Sequence, residues 1–417
     1  MTRFNSAFVT SGPVLVCTGL LVFLLTNFGQ VRDWETLSAV VSSVDALEIP
    51  FLDFAGHYYP AGASIFDHPL PVEGYYYPSF FAVLMRPFAM IPLYDAMWLW
   101  GLVQIASLVL ILSAPLGTLW KTAKYESLLY AVLCGLSGPL LHSFVWGQVS
   151  ALLTAGIIFS SSFLIRSNVR CGAICLGFVA AVKLYPGIFI VQFFRARAWA
   201  GVPWAIATFV ILVVGVPVLL LGFDDWWRFE SAVFVSIAEA DWVASNINSQ
   251  YFAHVVGRYL KLADVSAVPG AVGLVTTLFG YFLAALNLGT AWLVRSLRSQ
   301  AAIAISLCAL FLTLPFVLKT SWPHYFCYLP LCQVILLTTV IRTVHSKTGM
   351  AILFITILGS VALGSTPLFN SFPHWSVYSK FGTLFFSNTL LLPALYTVGY
   401  MNFVHASPKI DEQAEDQ

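Results

Sequence analysis

Apolar stretches of helical length recur along the chain, near residues 11–29, 94–115, 125–142, 149–165, 171–194, 200–221, 270–294, 301–318, 325–343, 349–367 and 382–404. Each approaches the roughly 20 residues that carry a helix across a bilayer. Two polar connections interrupt the series, residues 30–78 and 222–268. The pattern predicts an all-α polytopic membrane protein of about ten spans. Residues 1–405 form one transmembrane domain and 406–417 a disordered cytoplasmic tail. Residues 79–92 are apolar but too short to cross, and Pro87 interrupts them; they are expected to lie along the outer interface.

Composition agrees with a membrane home. Of 417 residues, 59% are hydrophobic and 9% charged, against roughly a quarter charged in soluble domains. The net charge is +1 and the 20 basic residues are scattered, which excludes a nucleic-acid surface. Arg3 precedes the first apolar run without a small-x-small cleavage site after it, so that run reads as an uncleaved span. The seven cysteines lie in apolar surroundings without metal-ligand spacing and read as small core residues.

Basic residues orient the chain. With the N-terminus inside, Arg3, Lys121, Lys124, Arg166, Arg170, Arg195, Arg197, Arg295, Arg298, Arg342, Lys347 and Lys409 all face the cytoplasm. That orientation holds only if residues 171–194 enter and return instead of crossing once. A break is therefore expected at Lys183-Leu184-Tyr185-Pro186, where Pro186 lacks a backbone donor. Both polar connections and most acids then face outward.

Polar side chains at membrane depth are costly, which makes each a candidate for function. Asp53 is surrounded by Phe51, Leu52, Phe54, Tyr58 and Tyr59; poor solvation raises a carboxyl pKa and suits a general base, whereas a capping or solvated loop acid is the plainer alternative. His57 lies at i+4 from it, and a metal pair there lacks an evident third ligand. Tyr75-Tyr76-Tyr77-Pro78 reads as an interfacial aromatic belt or as a surface that stacks on a sugar. Gln148, after Gly147, either caps the next helix or hydrogen-bonds a polar substrate. Lys183 either snorkels or binds a phosphate, for which its compact ammonium is suited. Asn246, Gln250 and Arg258 by themselves mark only a polar loop. Lys319, Trp322, His324 and Tyr325 are interface anchors, or else a cationic aromatic cup for an anionic, sugar-bearing headgroup. The charge-derived topology sends Asp53, Gln148, Lys183, Asn246 and His324 to the same membrane face.

Several of these pieces, in this order, resemble glycosyltransferase family 87, of the GT-C class: Asp53-Phe54 through Tyr58-Tyr59-Pro60-Ala61-Gly62, Tyr77-Pro78 with Pro87 and Ile91-Pro92, Gly147-Gln148, Lys183-Leu184-Tyr185-Pro186, the Asn-Ser-Gln loop with Arg258, and Ser321-Trp322-Pro323-His324-Tyr325. The resemblance implies transfer of a sugar, by family frequency mannose, from a polyprenyl monophosphate donor to a glycolipid or polysaccharide acceptor. The location it implies is the outer face of a bacterial inner membrane. It assigns Asp53 as catalytic base, and His324, Lys183 and Lys319 to the donor phosphate. His57, Tyr58, Tyr77, Gln148, Asn246, Gln250, Arg258, Trp322 and Tyr325 become substrate contacts. No cofactor or metal is required, and a divalent ion near Asp53 is left open. Two departures stand out: the loop reads Asn-Ser-Gln where the family more often shows Asn-Gln-Ser, and Ser79 follows Tyr77-Pro78 where a second proline is common.

The expected chemistry is inverting, with Asp53 deprotonating an acceptor hydroxyl that attacks opposite the leaving phosphate. A transporter or flippase of a polyprenyl-linked saccharide is the alternative, although such proteins show repeated halves and midplane sites that this sequence lacks. A structural scaffold is a third reading, under which Asp53 and Lys183 would be dispensable.

Overall fold

A computed structural model of the chain describes residues 51–113, 124–194, 198–239, 242–262, 269–295, 300–372 and 375–406, with 19, 20 and 22. Most of the expected first span (11–29), the start of the first polar connection, Arg195, Arg197 and the tail from 407 lie outside the described residues.

Among the described residues the regular elements are all helical. Six helices among the described residues are long and apolar enough to cross a membrane: Leu93–Ser113, Gly201–Leu221, Gly273–Val294, Gln300–Val317, Pro323–Thr343 and Thr383–Val404. Four shorter apolar helices, Ser79–Ala89, Ser150–Ile165, Val169–Val182 and Lys347–Leu363, accompany them. The count by length is lower than the number of apolar runs because the backbone divides or shortens several of them and the run 11–29 lies largely outside the described residues.

Gln300–Val317 is the central post, with 83% of its apolar stretch buried, followed by Pro323–Thr343 at 78%. Gly201–Leu221 (17%) and Gly273–Val294 (22%) turn most of their apolar side chains outward. Leu219, Val275 and Leu274 are open to the surroundings. Water would penalise such surfaces, and lipid does not. At the end of helix Pro323–Thr343 away from His324, Arg342 pairs with Glu126. This joins helices Lys124–Gly135 and Leu329–Thr343 at the face to which the basic residues assign the cytoplasm.

Where helices break at membrane depth, the freed backbone groups find partners, as a medium without water demands. The apolar run 125–142 divides at Ser137, whose side chain accepts from Leu140 N–H and caps helix Gly138–Val145. A second break lies at Ser365, beyond helix Lys347–Leu363. The two breaks meet: Gly138 N–H donates to Gly364 O at 2.9 Å, and Thr366 N–H donates to Leu136 O at 2.7 Å.

The expected break at Lys183 is present. Helix Val169–Val182 stops there, Lys183 is extended (φ −152°, ψ 136°), and a 3₁₀ helix runs from Tyr185 to Phe193 with Pro186 in its first turn. Helix Ser79–Ala89 also forms as expected, but Pro87 does not interrupt it. The missing Pro87 N–H removes only the one helical bond to Val83 O, and the neighbouring Arg86 ties the helix back by donating to Ala63 O at 2.8 Å. The second polar connection is largely helical, containing Phe223–Ala238 and Phe252–Leu262.

Candidate active site

The site begins with a turn that fixes two sequence-distant segments against each other. Helix Gly138–Val145 ends in a paired C-terminal motif in which Gln148 N–H donates to Ser143 O (2.8 Å) and Gly147 N–H to Phe144 O (3.1 Å). Gly147 has φ +65°, and a Cβ there would stand 2.8 Å from Phe51 Cβ. Glycine is required on both counts. Onto this turn the Asp53 segment is laced through Phe51 N–H to Val145 O (2.8 Å) and Asp53 N–H to Trp146 O (3.1 Å). Trp100 Nε1 holds Gly147 O at 2.7 Å and Gln104 Nε2 holds Gln148 O at 3.0 Å.

Asp53 immediately precedes a π-helical turn, Phe54–Tyr58, which passes into helix Tyr59–Ser64; wide turns of this kind occur often at functional sites. The Asp53 side chain is 15% exposed, and His57 Nε2 lies 3.9 Å from its Oδ1. Burial pushes the Asp53 carboxyl up to about 7, against the opposing pull of the Lys183 charge.

One turn further on, Tyr58 enters a buried hydroxyl network. Its Oη lies 2.7 Å from Tyr77 Oη and donates to Gln148 Oε1 at 2.9 Å. Tyr77 Oη is 3.3 Å from the same amide oxygen. Lys183 Nζ donates to Tyr77 Oη at 2.9 Å and sits 4.4 Å from the ring centroids of both Tyr77 and Tyr325. The helix break therefore delivers an ammonium between two aromatic faces, where cation–π attraction replaces part of its lost hydration.

His324 lies in the turn Pro323–Tyr328, packed against His142 (ring centroids 5.6 Å) and against Tyr325 (5.0 Å). It is buried, and neither ring nitrogen meets a protein hydrogen-bond partner among the described residues. Buried imidazole nitrogens are normally paired, so this pair of unused atoms marks a place where a polar ligand group would be satisfied.

Asp53, His57, Tyr58, Tyr77, Gln148, Lys183, His324 and Tyr325 thus form one cluster. The other five expected residues belong to a neighbouring layer. Gln250 is fully buried, but its amide is used inside the protein: Nε2 donates to Ser379 O (2.9 Å) and Oε1 accepts from Phe385 N–H (3.3 Å). Asn246 Oδ1 accepts from Asn248 N–H at 2.9 Å, and Arg258 Nε donates to Lys380 O at 3.2 Å. Lys319 is exposed, with its carbonyl accepting from Ser249 Oγ at 3.2 Å. Trp322 stacks on Trp242 at 5.9 Å, and Trp242 leans on Tyr76 at 6.5 Å. That aromatic series links the two layers.

Glu230 was not singled out by sequence reasoning and proves to be a structural partner of the site. It is buried, and its Oε1 accepts from Ser79 N–H (2.9 Å) and Ser79 Oγ (2.6 Å). It thereby caps helix Ser79–Ala89 from a helix of the second connection. The departure at Ser79 was the available signal: a proline there would have no N–H to give. Burial pushes Glu230 up, and the two Ser79 bonds pull it back. Among the described residues no three His, Cys, Asp or Glu side chains gather closely enough to hold a metal ion.

The crossing helices and the polar cluster enclosed at one end of them define the class, a multi-pass membrane protein with a site for a charged, polar group. Residues 75–319 match glycosyltransferase family 87, and the chain belongs to that family. Among curated proteins it is 24% identical over 237 residues to the polyprenol-phosphate-mannose-dependent alpha-(1-2)-phosphatidylinositol pentamannoside mannosyltransferase of Mycobacterium tuberculosis (strain CDC 1551 / Oshkosh), covering 53% of this chain and 52% of that one. The protein of the same name from Mycolicibacterium smegmatis (strain ATCC 700084 / mc(2)155) is 29% identical over 217 residues, 50% of each chain. The chain spans about half the length of the curated relatives it matches. No solved structure matches it. Asp53, His57, Tyr58, Trp322, His324 and Tyr325 lie outside the stretch matched by the family.

Proposed function

We propose that this protein is a membrane mannosyltransferase that takes mannose from a polyprenyl monophosphate and passes it to a hydroxyl of a glycolipid or glycan acceptor. The site opens at the outer face of a bacterial inner membrane. The shorter apolar helices complete about ten passes through the bilayer, some of them tilted or broken. Family membership and the relatives' printed donor support the reaction class, and the relatives' phosphatidylinositol mannoside supports a glycolipid acceptor. The observation that carries the chemistry is the gathering of a largely buried carboxylate, Asp53, a cation, Lys183, and an imidazole without a protein hydrogen-bond partner among the described residues, His324, around one buried network.

In the mechanism, Asp53 accepts the proton of the acceptor hydroxyl as its oxygen attacks the anomeric carbon. The bond from that carbon to the phosphate oxygen breaks on the opposite face, so a β-linked donor gives an α-linked product. Charge developing on the departing phosphate is met by the Lys183 ammonium and a ring N–H of His324, fixed in place before the reaction begins. Tyr77, which receives a hydrogen bond from Lys183, and Tyr58 with Gln148 hold that ammonium in position. These parts require no metal, and transfer is expected to survive chelation of divalent ions.

The decisive experiment is single-turnover transfer from radiolabelled polyprenyl-phosphate mannose to a lipid extract, using membranes with matched amounts of wild type and Asp53→Asn. Transfer by the wild type and a loss of about 10²-fold or more in the variant is expected for a general base. Equal rates would remove Asp53 from catalysis. Absence of transfer by both, alongside ATP-independent movement of the lipid-linked sugar between leaflets, would favour the flippase alternative.

A further inference from the structure

A base that takes one proton per turnover must lose it before the next, and the neighbours within electrostatic reach of Asp53 besides His57 are Lys183, Tyr58, Tyr77 and Tyr325. Its side chain is only 15% exposed. His57 is its more exposed neighbour. The imidazole is 34% exposed, with Nε2 3.9 Å from Asp53 Oδ1. Its other nitrogen, Nδ1, lies 3.0 Å from the carbonyl oxygen of Glu73. A carbonyl only accepts, so Nδ1 carries the hydrogen and Nε2 presents its lone pair toward Asp53. The seat is shaped for the ring: Gly74 has φ +76°, and a Cβ on it would come within 2.6 Å of His57 Cε1.

We propose that His57 is the proton outlet of Asp53, a catalytic residue of the transfer reaction and not a sugar contact. This deepens the function proposed above and rests on it. After the acceptor oxygen has bonded to the anomeric carbon, the proton on Asp53 Oδ1 passes to His57 Nε2, directly after a small rotation or through one water. The imidazolium is held by its Nδ1–H bond to Glu73 O and gives up the Nε2 proton to bulk water, returning both groups to their starting state. Burial lowers the His57 pKa while the Glu73 carbonyl and carboxylate raise it less. The ring is therefore neutral at pH 7, free to accept a proton and quick to release it.

The test compares His57→Ala and His57→Asn in multiple-turnover assays, with and without added imidazole, after confirming expression and thermal unfolding. Asn keeps an N–H for the Glu73 carbonyl but cannot titrate. The expected result is a loss of about 10²-fold in kcat for both variants, little change in donor KM, and partial recovery of His57→Ala by imidazole as buffer pH rises. Wild-type kcat in His57→Asn would show that the ring only anchors the Gly74 turn, and the outlet would be rejected. Equal loss without imidazole recovery in a folded His57→Ala would reject it too. Should His57→Ala fail to fold, His57→Asn decides alone, through a full loss of kcat at unchanged KM or its retention. Asp53→Asn run in parallel separates the levels: if it stays active, the base and its outlet fall together, and if it is inactive while both His57 variants keep wild-type kcat, only the outlet falls.

Discussion

The carboxyl of Asp53 sets how transfer should depend on pH. A base works only when ionised, and burial has moved its pKa up to about 7. Activity is therefore expected to climb from pH 6 to pH 8 with its midpoint near 7, well above the usual carboxylate range of about 4. The Lys183 charge opposes that rise, so Lys183→Met should move the midpoint to higher pH, read in a pH–kcat profile, and weaken donor binding, read in the donor KM. A midpoint that stays put in the variant would show that the two charges do not communicate. Asp53 and Lys183 were legible in the sequence because charge among apolar neighbours is conspicuous there. Gln250 was singled out through the family resemblance, but its amide is spent on Ser379 and Phe385, about which spacing in the chain is silent. Gln250→Ala is accordingly expected to cost about 1–3 kcal/mol of stability, seen as a lower unfolding temperature in detergent, and to change donor KM less than Lys183→Met does.

At the level of elements, the site depends on how helices end. Helix Ser79–Ala89 starts on an acid borrowed from residues 223–238, and Tyr77, two residues before it, holds Lys183. Glu230→Ala leaves the Ser79 N–H and hydroxyl unpaired, at a cost of about 1–2 kcal/mol; Ser79→Pro strands the Glu230 carboxylate instead. Combining the two should cost less than their sum, because each single change orphans what the other removes. Additive unfolding shifts would show that Glu230 and Ser79 do not act as a unit. Gly147→Ala forces a side chain into the Phe51 contact at positive φ and should lower both stability and transfer, since Asp53 and Gln148 are set by that one turn. The break at Lys183 was readable from proline and charge, whereas the interruption expected at Pro87 did not occur. The capping by Glu230 was not, because it joins positions 151 apart in sequence.

Viewed whole, the chain places its polar chemistry at one end of the bundle and the Arg342–Glu126 pair elsewhere. The helical class and most helix positions followed from apolar runs alone, since a bilayer imposes one length on every crossing. The number of crossings did not follow, because a run that bends or splits reads the same as one that spans. Sidedness can be measured directly. With Cys171 replaced, Gly56→Cys, an exposed position with open space around it, should react with a membrane-impermeant thiol reagent in intact cells. Lys347→Cys should react only after permeabilisation. Labelling of both from outside would overturn the orientation drawn from basic residues.

The backbone exchange between Gly138–Gly364 and Leu136–Thr366 also bears on how the protein is made. The ribosome delivers residue 138 long before residue 366, so the first break must wait in the membrane with its groups unsatisfied until the last third of the chain has been synthesised and inserted. Chains halted before that point are natural clients for membrane chaperones and quality-control proteases.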